Sequence, residues 1–119
     1  MRTDARNAFL VRLLELTREV EATVEAAKLS RDPPFRRYDQ RFQLVRFINE
    51  RDHGPRYEIG RWFPGCTAAE AKRFQRVVRD LHAAGLVVGS MGDRRLTNVM
   101  LTPEGRAEAE RLTKECPKR

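Results

Sequence analysis

The 119-residue sequence predicts a mainly α-helical chain carrying one small β-hairpin. Three observations carry that expectation. Residues 7–29, "NAFLVRLLELTREVEATVEAAKL", contain neither Gly nor Pro and space their apolar side chains at helical intervals. Thr67 and Glu70 form a helix-opening signature ahead of a second amphipathic run. Finally, two short apolar runs, 86–88 and 99–101, flank a Gly-containing loop with adjacent arginines, the pattern of a hairpin. A chain of this length buries one core, and no apolar run approaches the roughly 20 residues that cross a membrane.

The elements follow in order. In the first helix Leu10, Leu13, Thr17, Val20, Val24 and Ala27 take alternating steps of three and four, a coiled-coil seam that Leu14 and Leu16 widen. Such a helix either pairs with a second subunit or lies across its own domain. Pro33 and Pro34 end it. A second helix is expected from Tyr38 to Asp52, with Phe42, Leu44, Val45, Phe47 and Ile48 on its apolar face and "HGP" at 53–55 as its stop. "RYEIGRWF", residues 56–63, reads either as a short strand entering a short helix or as one bent helical turn, and its aromatic side chains are expected in the core.

Thr67 and Glu70 then set the start of the next helix at Ala68, because hydroxyl and carboxylate each satisfy a free backbone N–H. Ala71, Phe74, Val77, Val78 and Leu81 line its apolar face, and Gly85 stops it. Its opposite face is basic, with Lys72, Arg76 and Arg79 in succession and Arg73 and Gln75 beside them. Arg94 and Arg95 stand at the hairpin tip, where Asp93 is expected to brace one of them. Thr102 as N-cap and Pro103 at the first helical position open the last helix.

Charge divides along the chain. The net charge is +7, yet Arg2, Arg6, Arg12, Arg18 and Lys28 cancel Asp4, Glu15, Glu19, Glu21 and Glu25 in residues 1–30. The excess therefore lies after residue 30, which points to a polyanionic partner for that part. A capped helix with a basic face, followed by a hairpin with a basic tip and a further helix, is the element order of a winged helix-turn-helix. Residues 1–30 are then an N-terminal amphipathic helix for dimerisation, through Leu10, Leu13, Leu14, Val20 and Val24. Residues 31–119 are the DNA-binding domain.

The expected ligand is double-stranded DNA. Helix 68–84 enters the major groove through Lys72, Arg73, Gln75, Arg76 and Arg79, and the 89–98 wing places Arg94 and Arg95 on the backbone or in the minor groove. The alternative is a winged-helix protein-interaction module, which uses the same fold without DNA.

"LHAAGLVVGSMGDRRLTNVMLTPEGRAEAERL", residues 81–112, resembles the wing region of the MarR family of bacterial transcriptional regulators: L-x-x-x-G-L-V, a D-R-R wing, then V-x-L-T-P-E-G. The resemblance covers less than half of the chain. It implies a DNA-binding regulator acting as a homodimer on a pseudo-palindromic site, with a wing arginine at Arg94 or Arg95.

An enzyme is not expected. His53 and His82 have no partner recognisable in sequence, and neither a Gly-rich phosphate loop nor a paired metal-ligand motif occurs, so no cofactor or metal is assigned. Cys66 and Cys116 fit no ligand spacing and read as free thiols. "MRTDARNAFL" lacks the apolar stretch of a signal peptide, and the expected location is the cytoplasm.

Overall fold

With no Gly or Pro to interrupt it, the N-terminal segment runs as one helix, α1 (Arg2–Leu29), beginning five residues before the predicted run. The computed structural model describes residues 2–29, 38–92 and 95–115. After α1 come α2 (Tyr38–His53), α3 (Ile59–Trp62), α4 (Ala68–Ala83), β1 (Val87–Gly92), β2 (Arg95–Leu101) and α5 (Pro103–Glu115). The chain is thus mainly helical with one two-stranded antiparallel hairpin. No helix among the described residues is long and apolar enough to cross a membrane.

Sequence reasoning left two partners open for α1, and the structure supplies one: the helix lies across its own domain. Phe9, Leu10, Leu13 and Leu14 are almost wholly inaccessible, in one cluster with Trp62, Leu81, Val87, Val99 and Leu112. Val20 and Val24 are buried further along the same helix. The five positions assigned to a dimer seam are therefore core positions of the protomer. The periodicity marks a buried stripe, but a stripe does not say which chain covers it.

Aromatic rings join α1 to the helices beneath it. Phe9 lies with its ring centroid 5.4 Å from Trp62 and 6.0 Å from Phe74, and Phe74 stacks on Phe63 at 4.3 Å. Trp62 is anchored twice more, since its indole N–H donates to the Arg56 carbonyl and its own carbonyl accepts from Arg12 Nε. At the far end Arg106 of α5 grips Glu21 of α1 with two bonds of 2.9 and 3.0 Å. The apolar face expected on α2 at Phe42, Leu44 and Val45 lies outside the described side chains, as do Pro33, Pro34 and Cys116, whereas Phe47 and Ile48 are half-buried.

The ambiguous stretch 56–63 comes closest to the first of its two readings. Arg56 bridges antiparallel to Asn98, the Tyr57 N–H donates to the Thr97 carbonyl at 2.8 Å, and the Val99 N–H donates to the Pro55 carbonyl at 3.1 Å. The short helix α3 follows directly. Gly54 makes this approach possible. Its φ of +92° is the left-handed region, and a Cβ there would overlap the Val99 carbonyl. In place of a strand there is a single bridge at Arg56, extended because β2 is there to receive it.

Since α1 is covered by its own chain, Phe9→Ala should lower unfolding stability by about 3–5 kcal/mol. Denaturant unfolding at two protein concentrations, tenfold or more apart, checks this. A loss that grows on dilution would mean that the stripe is covered by a second copy instead.

Candidate nucleic-acid interface

The position of α4 follows from its cap and its apolar face. Thr67 is the N-cap, as expected, and its Oγ1 accepts from the Glu70 N–H at 3.1 Å while the Glu70 carboxylate accepts from the Thr67 N–H at 2.8 Å. Val77, Val78 and Leu81 are buried and Phe74 is half-buried against α1 and α3. Gly85, at φ +77°, ends the helix where the sequence placed its stop. With the inner face held, the outer face is determined. Lys72, Arg73, Gln75, Arg76 and Arg79 are all exposed.

The hairpin rises beside that face. Its strands extend beyond the predicted runs, pairing from Val87 with Leu101 to Gly92 with Arg95. Between Ser90 and Met91 the register slips, leaving Thr97 as an extra residue on β2, and its Oγ1 donates to the Ser90 carbonyl at 3.1 Å. Arg95 is exposed at the start of β2. Arg94 and Asp93, with the expected brace between them, lie outside the described residues.

Between α4 and the hairpin lies a cleft of about 820 Å³. It brings together three of the predicted residues, Gln75, Arg79 and Arg95, and adds Arg56 and His82. Its floor is apolar, formed by Val78 and Leu96, with Leu96 filling the space above Gly89. Lys72, Arg73 and Arg76 share the exposed face of α4 but not the cleft lining. Tyr57 also lines the cleft, and burial, then the nearby Cys66 thiol, push its phenol above the usual tyrosine range, so it stays a neutral hydroxyl at physiological pH.

Sequence reasoning missed Arg56. The signal was present only as an ambiguous strand, since the Arg56–Asn98 bridge is what carries residue 56 to the hairpin base. Glu58 is the acidic group in the lining, and it is engaged by Arg61 at 3.3 Å and Arg46 at 3.5 Å.

Ion pairing separates this surface from the rest. Away from it, Arg12 pairs with Glu15, Arg18 with Glu110, Arg51 with Asp52, Arg106 with Glu21, and Arg111 with Glu108. Arg6 faces Glu108 electrostatically. By contrast, Lys72, Arg76, Arg79, Arg95 and the Arg56 side chain form no ion pair among the described residues. Arg73 feels Glu70, but that carboxylate is already committed to the Thr67 N–H. The arrangement is a cationic surface whose charges have no ion-pair partner among the described residues, so it presents those cations to an anion.

No group of three or more His, Cys, Asp or Glu side chains gathers for a metal ion among the described residues. Comparison with protein-family models, curated proteins and solved structures finds no match for the chain.

The capping box has a testable pH signature. The Thr67 N–H, then the Thr67 hydroxyl, hold the Glu70 carboxyl below the usual glutamate range, against a smaller opposing effect of burial. A depressed folded pKa means that the contribution is fully present above the unfolded pKa and is lost as pH falls through the folded value. The Thr67 and Glu70 amide resonances should therefore titrate below the ordinary glutamate midpoint of about 4.3. Titration at that ordinary value would show the carboxylate to be free in solution.

Proposed function

We propose that this chain is a winged helix-turn-helix protein that binds double-stranded DNA sequence-specifically and regulates transcription in the cytoplasm. In this reading α3 and α4 are the helix-turn-helix pair, and residues 55–57 with β1 and β2 are the wing sheet. The observation that carries it is a set of cations, shared by α4 and the hairpin across one cleft, that form no ion pair among the described residues. Such a surface suits a sugar–phosphate strand, because a duplex presents a major groove and a minor groove on either side of each strand. The resemblance of residues 81–112 to MarR-family wings supports the same assignment.

The roles divide by position. Lys72, Arg73 and Arg76, exposed on α4, meet phosphates or guanine edges in the major groove. Gln75, neutral and exposed, suits an adenine edge, which it can meet with paired hydrogen bonds. Arg79 and Arg56, both lining the cleft, are assigned to the intervening strand, and Arg95 to the adjacent minor groove. On a pseudo-palindromic site two copies bind with half-sites about 34 Å apart. They pair through surface other than the buried positions of α1.

A protein-interaction module is the second reading. Val88 and Met100, exposed and directly opposite one another in the hairpin, are the residues it would use.

Salt decides between them. Duplex binding should weaken steeply with salt, and each phosphate contact removed should shallow the slope of log affinity against log salt by about 0.9. Arg79→Ala combined with Arg56→Ala, the two cations assigned to the intervening strand, should therefore reduce the slope by about 2. Arg18→Ala, whose pair with Glu110 lies on another surface, should leave both slope and affinity unchanged. Absence of duplex binding at low salt would favour the second reading.

A further inference from the structure

We propose that Met91 is a wedge that enters a base step of the bound duplex from the minor groove, so that the protein bends its DNA. The inference rests on the DNA-binding reading and adds to it a deformation that no charge argument supplies.

Met91 is 65% exposed, the most open large apolar side chain among the described residues. Its setting explains why that exposure is unusual. On β1 the alternate positions Val87, Gly89 and Met91 pass from fully buried through half-buried to exposed. Gly89 and Met91 both line the cleft, so the apolar side of the hairpin continues outward beyond the core. Solvent exposure of a Met near a hairpin end contributes nothing to folding, and a charged residue there would keep the strand soluble at no loss.

The occupant is specified by charge. Arg95 sits across the hairpin opposite Gly92, one position beyond the Met91–Leu96 pair, and lines the cleft with Met91. Arg79 and Arg56 line it too. An exposed Met that shares a cleft with guanidinium groups having no ion-pair partner among the described residues is poorly suited to an apolar protein surface, which would have to bury those charges without partners. It suits a duplex, where phosphates meet the cations and the stacked bases offer an apolar slot beyond them. Methionine is unbranched, polarisable and adaptable, which fits insertion between bases of differing shape.

The register slip beside it supports the role. Thr97 is the extra residue, and its side chain and carbonyl tie it to the Ser90 carbonyl and the Tyr57 N–H. A bulge increases local twist and bends its strand. Here it lies immediately before Met91 and is fastened on both sides, so the strand pair at Met91 is set by these contacts.

The test is a duplex carrying donor and acceptor dyes at its ends, with binding and energy transfer read in the same titration. The native protein should bend the bound duplex by roughly 20–90°, the range for side-chain wedges. Met91→Ala should still bind, with most of the bend lost from the saturated complex, and Met91→Leu should restore it. Circular dichroism and thermal unfolding serve as controls, and an exposed site leaves them unchanged. A native complex in which the duplex stays straight, or an equal bend with Met91→Ala, would overturn the wedge while leaving DNA binding intact. Failure of the native protein to bind any duplex at low salt would overturn the DNA-binding reading and the wedge together.

Discussion

The burial of Phe9 is the contact on which the other positions depend. Its ring meets Trp62 of α3 and Phe74 of α4 from above, and Phe63 completes the group by stacking on Phe74. Aromatic pairs of this kind contribute about 0.5–1.5 kcal/mol each beyond the area they bury. More important than the sum is the geometry. A four-residue helix such as α3 is far too short to hold itself, since isolated helices of fewer than about 12 residues are marginal in water. It is held because Trp62 is gripped by rings on two sides and by hydrogen bonds to Arg56 and Arg12. With α3 fixed and Phe74 seated, α4 has one orientation, and its charged face must point away from α1.

That face is costly as a structural device. Lys72 and Arg76 stand four residues apart, and Arg76 and Arg79 three apart, so like charges meet at the spacings where helical neighbours repel by a few tenths of a kcal/mol. Elsewhere the chain avoids this problem by interleaving acids: Arg106 lies between Glu21 and Glu110, and Arg18 pairs with Glu110. Among the described residues the chain therefore pairs most of its arginines with acids, but not Arg76 and Arg79 of α4 or Arg95 of the hairpin. Exposed pairs stabilise little, so their distribution reflects the electric field they leave more than the stability they add.

Much of the fold was legible locally. The start of α4 at Ala68, the stop at Gly85 and the cap of α5 at Thr102 each depend on side chains within a few residues, and the structure has all three. What was not legible depended on distant partners. The stripe on α1 looked like a seam because a helix buried by its own chain and one buried by a twin present the same spacing. Residues 55–57 are extended because Thr97 and Val99 offer a backbone to pair with, and nothing in their own composition states it. Arg56 was missed for the same reason. The exposed basic residues of α4 and Arg95 were readable from spacing and turn pattern, whereas the cleft between them required the register of the hairpin.

Under the proposed reading, this difference in support has a mechanical consequence. The α4 face is held by buried side chains, so the positions of Gln75 and its neighbours are set before a ligand arrives and suit the reading of base edges. The hairpin is tethered at its base through Asn98, Thr97 and Val99 to residues 54–57, and beyond that level it projects with exposed side chains on both strands. A projection of that kind discriminates poorly by hydrogen-bond pattern, and the minor groove it would enter offers a degenerate pattern in any case. Its contribution to selectivity is then the energy of deforming the duplex, which depends on the flexibility of the step being opened. Helix and hairpin thus read different properties of one site, the first through the edges of the bases and the second through how readily they part.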